Sequence, residues 1–73
     1  MTKLPIITPQ EAFKKLQKGG FCLDRIKGSH YVLRHPNGKQ VVIPMHAGKT
    51  LKKGTLVNII KGADLTVEMF LNL

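Results

Sequence analysis

Hydrophobic and polar positions along this chain follow two rhythms, a helical period toward each end and a strict alternation in the middle. In TPQEAFKKLQKGG, Ala12, Phe13 and Leu16 form one apolar stripe while Lys14, Lys15 and Lys18 make up the wet face, which is the spacing of an amphipathic helix. Thr8 precedes Pro9, and Glu11 stands three residues after Thr8. The helix therefore opens with a capping box and a proline at its first position, and Gly19-Gly20 is expected to supply a left-handed stop.

From Phe21 the period changes. FCLDRIK reads as a strand, KGS as a tight turn, HYVLRH as a second strand, HPNGK as a hairpin turn and QVVIPM as a third strand. Strands joined by such short turns must be antiparallel. Because successive side chains alternate across a strand, Tyr31, Leu33 and His35 separate from His30, Val32 and Arg34, and Val41 and Ile43 separate from Gln40 and Val42. After the loop HAGKTLKKG, the segment TLVNIIKGADLTVEMFLNL predicts one helix or two short ones, broken at Gly62 and Asp64 with Thr66 as a second N-cap. Helix, three strands, helix is an α+β order in a single domain over residues 1–73, with the helices on one sheet face and the other face open. His30 falls on the open face.

Charge changes the picture. Twelve Lys and Arg against four Asp and Glu give a formal net charge of +8 in 73 residues, and so basic a surface calls for a polyanion or an acidic protein as partner. Nucleic acid comes first. A chain of this size buries only roughly 60% of the surface its unfolded form exposes, so stabilisation by a partner is expected. Cys22 is the sole cysteine, which excludes an intrachain disulfide and a cysteine-rich zinc site and fits a reducing compartment. Apolar runs such as LPII and VVIPM fall far short of the ~20 residues of a membrane span. The N-terminus lacks the long apolar region of a signal peptide. The chain reads as soluble and cytoplasmic, with no membrane partner.

The stretch RIKGSHYVLRH sets His30 among Arg25, Lys27 and Arg34, with no carboxylate nearer in sequence than Asp24. Histidine is the side chain whose ordinary titration suits acid–base catalysis near neutral pH, and the three cations would hold a phosphodiester and stabilise charge developing on it. Together they point to RNA cleavage, in which a base takes the 2′-OH proton and the freed oxygen attacks the adjacent phosphorus. That chemistry requires no metal and no cofactor, since the substrate carries its own nucleophile. The plainer reading is that a strand histidine in a small basic domain is a surface or phosphate-contacting residue. His35, before Pro36, reads as a structural or hydrogen-bonding histidine, and His46 as either a loop residue or a phosphate ligand. The three histidines are spaced by five and eleven residues without an accompanying carboxylate, which matches no standard zinc site. Ser29 has no acid placed to orient a histidine beside it, so turn hydrogen bonding accounts for it better than nucleophilic catalysis. Lys49, Lys52 and Lys53 surround the start of the last helix, as a phosphate-holding group or as an ordinary solvated face.

The ordered set formed by GF after the first helix, RIKGSH, the HP-NG turn, VVIP and the H-x-x-K-x-L-x-x-G-T-L run through His46, Lys49, Leu51, Gly54, Thr55 and Leu56 resembles the HicA toxins, small mRNA interferases of bacterial HicA–HicB toxin–antitoxin pairs. The resemblance extends from TPQEAFKKLQKGGF to the final FLNL. It implies a double-stranded-RNA-binding-domain-like α-β-β-β-α fold, metal-independent cleavage of mRNA with His30 at the catalytic position, and neutralisation by a cognate HicB-type antitoxin protein. Gly28 and Ser29 lie in the same motif, so Arg25, Lys27, Gly28, Ser29, Arg34, His46 and Lys49 form the expected RNA-binding set around His30. Asp64 departs from the family pattern, which has glycine there in an A-G-L turn; Asp tolerates left-handed geometry better than most residues and less well than glycine.

Two other readings compete. A non-catalytic RNA-binding domain on the same fold would read A-form RNA through phosphates and 2′-OH groups. A helix-turn-helix repressor ending would suit the charge equally well, but its recognition helix would be LTVEMFLNL, which has no Arg, Gln or Lys to read bases.

Overall fold

The capping box predicted at Thr8 is complete in the computed structural model, which describes residues 3–46 and 49–73. The Thr8 hydroxyl accepts from the Glu11 amide at 3.2 Å, and the Glu11 carboxylate accepts from the Thr8 amide at 3.1 Å. Two of the backbone donors that a helix start leaves without intrahelical partners are thereby satisfied. These bonds favour the charged carboxyl: the Thr8 amide first and its hydroxyl second hold Glu11 below its ordinary value of 4.5. Helix α1 runs Pro9–Lys18. Its end differs in detail from expectation, since Gly19 keeps an ordinary φ of −81° and only Gly20, at φ 99°, is left-handed.

Three strands follow, β1 (Cys22–Lys27), β2 (His30–Arg34) and β3 (Gln40–Pro44), forming an antiparallel sheet in the order β1-β2-β3. Each turn carries a glycine where the backbone demands it. Gly28 has φ 60° at the first central position of the β1–β2 turn, the requirement of a II′ hairpin. The turn after β2 is closed by the Gly38 amide donating to the His35 carbonyl at 2.9 Å, with Pro36 and Asn37 between them. The register pairs Lys27 with His30, Arg25 with Val32 and Cys22 with Arg34, and it shifts between Leu23 and Arg25, which marks Asp24 as a bulge. On the other side His30 faces Pro44, Val32 faces Val42 and Arg34 faces Gln40.

Helix α2 (Lys53–Gly62) and a short helix α3 (Val67–Leu71) complete the chain, so the two-helix version of the predicted C-terminal segment is the one formed. Thr66 caps α3 by accepting from the Met69 amide at 3.1 Å. Asp64 takes the left-handed φ of 60° that the family's glycine would occupy. This is the double-stranded-RNA-binding-domain-like α+β arrangement. Leu33, Val41 and Ile43 of the sheet pack with Ala12 and Leu16 of α1, Leu56, Ile59 and Ile60 of α2 and Phe70 of α3. Removing one of the large side chains, such as Leu33, costs about 2–5 kcal/mol.

One lysine leaves its expected role. Lys15, assigned to the wet face, is half-buried, donating to the Leu71 carbonyl at 3.2 Å and the Leu73 carbonyl at 3.3 Å. Its ammonium also stands 5.8 Å from the Phe70 ring centre. A cation suits the carbonyl-rich end of a helix, and Lys15 thus ties α1 to the end of α3. The helices cover β1 incompletely: Leu23 and Ile26 share the covered face by register, yet remain 41% and 53% exposed.

Candidate functional site

The open face is built by register. His30, Val32 and Arg34 of β2 share it with Lys27, Arg25 and Cys22 of β1 and with Pro44, Val42 and Gln40 of β3. Val32 is only 4% exposed and lies outside the main core cluster; with Val42 opposite it it makes an apolar centre flanked by His30, Arg34 and Arg25. His30 opens β2 and is exposed. Among the described residues its imidazole has no hydrogen bond, ion pair or ring contact, and Lys27 is its cross-strand neighbour.

The expected cations divide into groups. Lys27 is at the His30 end. Arg34 is at the other end and Arg25 stands between, opposite Val32; both meet the bulged Asp24, whose carboxylate is 2.8 Å from Arg25 and 3.7 Å from Arg34. Arg34 also donates to the Gln40 side-chain oxygen at 2.9 Å. Four residues along a strand separate Arg34 from His30 by about 13 Å, so the Arg34 guanidinium lies further along a strand path rather than at one phosphate with His30, while Arg25 stands between the two ends. Their pairs are exposed, and such pairs are weak enough for a phosphate to compete. Gly28 and Ser29 form the turn joining Lys27 to His30, and the Ser29 carbonyl accepts from the Met45 amide at 2.7 Å.

His46 and Lys49 lie apart from the open face, in a cavity of about 410 Å³ lined also by Pro9, Pro44, Thr50, Leu51, Lys52 and Thr55. The expected loop between them includes residues 47 and 48, which lie outside the described residues. A second cavity of about 350 Å³ is lined by His30, Gln40, Val42 and Pro44 on one side and by Thr55, Asn58, Ile59 and Gly62 of α2 on the other. The two cavities share Pro44 and Thr55 and so adjoin beside the outer edge of β3. Gln40, Thr55 and Asn58 were absent from the expected set. Their signal was present, since residues 55 and 58 are one helical turn apart and so share a face, but nothing local in the sequence says that this face borders His30.

His35 is the opposite of His30. Its Nδ1 accepts from the Asn37 amide at 3.1 Å, its ring meets Phe21 edge-on at 5.0 Å, and it presses on Gly20, where a Cβ would come within 2.8 Å of Nε2. This is the structural histidine that the sequence suggested. Among the described residues no three His, Cys, Asp or Glu side chains gather as a metal-holding group, and no helix is long and apolar enough to cross a membrane.

These features define a small basic α+β domain of the double-stranded-RNA-binding-domain-like class with one sheet face uncovered. Residues 9–65 match the family described as the HicA toxin of bacterial toxin–antitoxin systems. That span is most of the chain, and the chain belongs to the HicA toxin family. No curated protein matches it.

Proposed function

We propose that this chain is the toxin of a type II toxin–antitoxin pair and an endoribonuclease that cleaves mRNA, with His30 as general acid/base, and that a HicB-type antitoxin neutralises it. The observation that carries this reading is the state of His30: an imidazole with no hydrogen-bond or ion-pair partner among the described residues, on an uncovered sheet face, with Lys27 opposite it and a cleft beside it. A free imidazole can reach a substrate proton; one already engaged, like that of His35, cannot do so without breaking the fold's own bonds.

The chemistry follows from the substrate. His30 accepts the 2′-OH proton, the 2′ oxygen bonds to the adjacent phosphorus, and the bond from phosphorus to the 5′ oxygen breaks. That oxygen leaves with a proton from His30 or from water on the open face, so a 2′,3′-cyclic phosphate and a 5′-hydroxyl result. Lys27 balances charge on the phosphoryl oxygens. Arg25 and Arg34, with Gly28 and Ser29 of the turn, hold neighbouring backbone, and His46 and Lys49 hold the strand at the adjoining cavity. No metal or cofactor enters the scheme, DNA is inert for want of the 2′-OH, and the working compartment is the cytoplasm.

The antitoxin is expected to be acidic, because opposite charge speeds capture and competes for the same cations. Covering roughly 800 Å² of the toxin would occupy about a sixth of a surface of 4877 Å² and raise its melting temperature. The test is incubation of RNA with the protein in EDTA, with and without the product of the adjacent reading frame. Shortened products ending in cyclic phosphate, abolished by the partner, are expected. Intact RNA that is nevertheless bound would turn the reading to a non-catalytic RNA-binding domain.

A further inference from the structure

The groove beside His30 has walls of a particular kind. The ladder bonds from the Met45 amide to the Ser29 carbonyl and from the His35 amide to the Lys39 carbonyl fix the alternation, so Val41 and Ile43 direct their backbone groups to β2 while Gln40, Val42 and Pro44 turn theirs to the outer edge. Pro44 sits where its missing N–H is not needed by the ladder. On the other side Gly62 lies so close to β3 that a Cβ there would stand 3.2 Å from the Val41 side chain, which sets the floor of the cleft. Val42, Pro44 and Ile59 supply apolar surface, and His30, Gln40, Thr55 and Asn58 supply polar groups. Gln40 is already engaged by Arg34. Asn58 is exposed, and its amide has no hydrogen-bond partner among the described residues.

We propose that this cleft is a subsite for one unpaired nucleobase next to the scissile phosphodiester, and that Asn58 reads the edge of that base. The proposal rests on the ribonuclease reading above and names the part of the substrate that the site recognises. A cleft of about 350 Å³ is within the range of small-ligand sites, which combine apolar walls with a few placed polar groups. Sequence-specific RNA recognition uses unstacked bases splayed into such clefts and bonded along their edges. An amide carries a donor and an acceptor side by side and pairs with a base edge that offers the reverse. His30 lines the same cleft, so a base lodged there brings its own phosphodiester to the imidazole. An added peptide strand fits less well: Pro44 removes a donor from the edge, and α2 stands beside it.

The test maps cleavage ends on a random-sequence RNA pool for the parent, Asn58→Ala and Asn58→Asp. The parent should prefer one base at a single position beside the cut. Asn58→Ala should lose about 5- to 100-fold of that preference, and Asn58→Asp, which only accepts, should move it toward bases whose edge donates. In parallel, His30→Ala and His30→Ala/Asn58→Ala are titrated with oligoribonucleotides carrying each of the four bases at that position, and unchanged melting temperatures check the fold. An identical base preference with and without the Asn58 amide, in both assays, overturns the subsite. A change confined to antitoxin capture also overturns it, as the cleft is then a protein contact. If the parent leaves RNA intact while bound-base preference still depends on Asn58, the subsite stands and the ribonuclease reading falls.

Discussion

His30 and His35 bracket the same central strand, His30 opening it and His35 following its last residue, Arg34. At one end the ring is locked by the Asn37 amide, by Phe21 and by the close approach of Gly20. At the other the ring has Lys27 across the sheet and a cleft beside it. A histidine whose bonding capacity is spent inside the fold contributes stability, and one whose capacity is unspent is available to a ligand. The contrast therefore separates two roles for chemically identical side chains, and each can be struck independently.

The largest expected effect is at His30. His30→Ala should lower RNA cleavage by about 10²–10⁴-fold while the melting temperature stays the same, because an exposed strand residue contributes little to the core. A threefold loss at equal folding would mean that His30 only binds RNA.

Next come the residues of the locked end. His35→Ala removes a hydrogen bond and an edge-on ring contact and should cost about 1–3 kcal/mol, lowering the melting temperature by about 4–8 °C per kcal/mol. Gly20→Ala should cost a similar about 1–3 kcal/mol, since it places a side chain at a left-handed φ and against the imidazole. Both variants should cleave RNA at the parent's rate below their melting temperatures. A His35→Ala protein that is stable but inactive would erase the distinction between the two histidines.

Smaller again is the difference between the cations near and far from His30. Lys27→Ala should reduce the slope of log affinity for single-stranded RNA against log salt by about 0.7, one phosphate's share. Arg34→Ala should change it less, because Asp24 and Gln40 already engage that guanidinium. Equal slopes for the two variants would show that Asp24 gives way fully to RNA. Binding should weaken by the same factor for all sequences in both variants, as phosphate contacts carry no base information.

The smallest effect lies outside both ends, at the start of α1. Glu11 has its folded value held below the ordinary 4.5 by Thr8, so the stabilisation it gives is present above that value and is lost as pH falls through the depressed one. Glu11→Gln should therefore show a shallower loss of melting temperature in acid than the parent. An identical acid profile in the two proteins would mean that this capping box is not what titrates.

The elements were legible because their causes are local: a Thr-Pro-x-Glu start, glycines at left-handed turns and the alternation through HYVLR are each decided within a few residues. The same alternation put His30 on the open face, and the capacity of Asp64 for positive φ was readable from its side chain alone. Other features depended on partners distant in the chain. Lys15 looked like a solvent lysine until the carbonyls of Leu71 and Leu73 came within reach. Arg25 and Arg34 gave no sign in the sequence of the bulge at Asp24, which lets one carboxylate meet both guanidiniums. Asn58 carried no mark in the sequence that joined it to His30. Helical and strand periods specify which side of its own element a residue occupies, and only the packing of α2 beside the free edge of β3 decided that those two sides face one cleft.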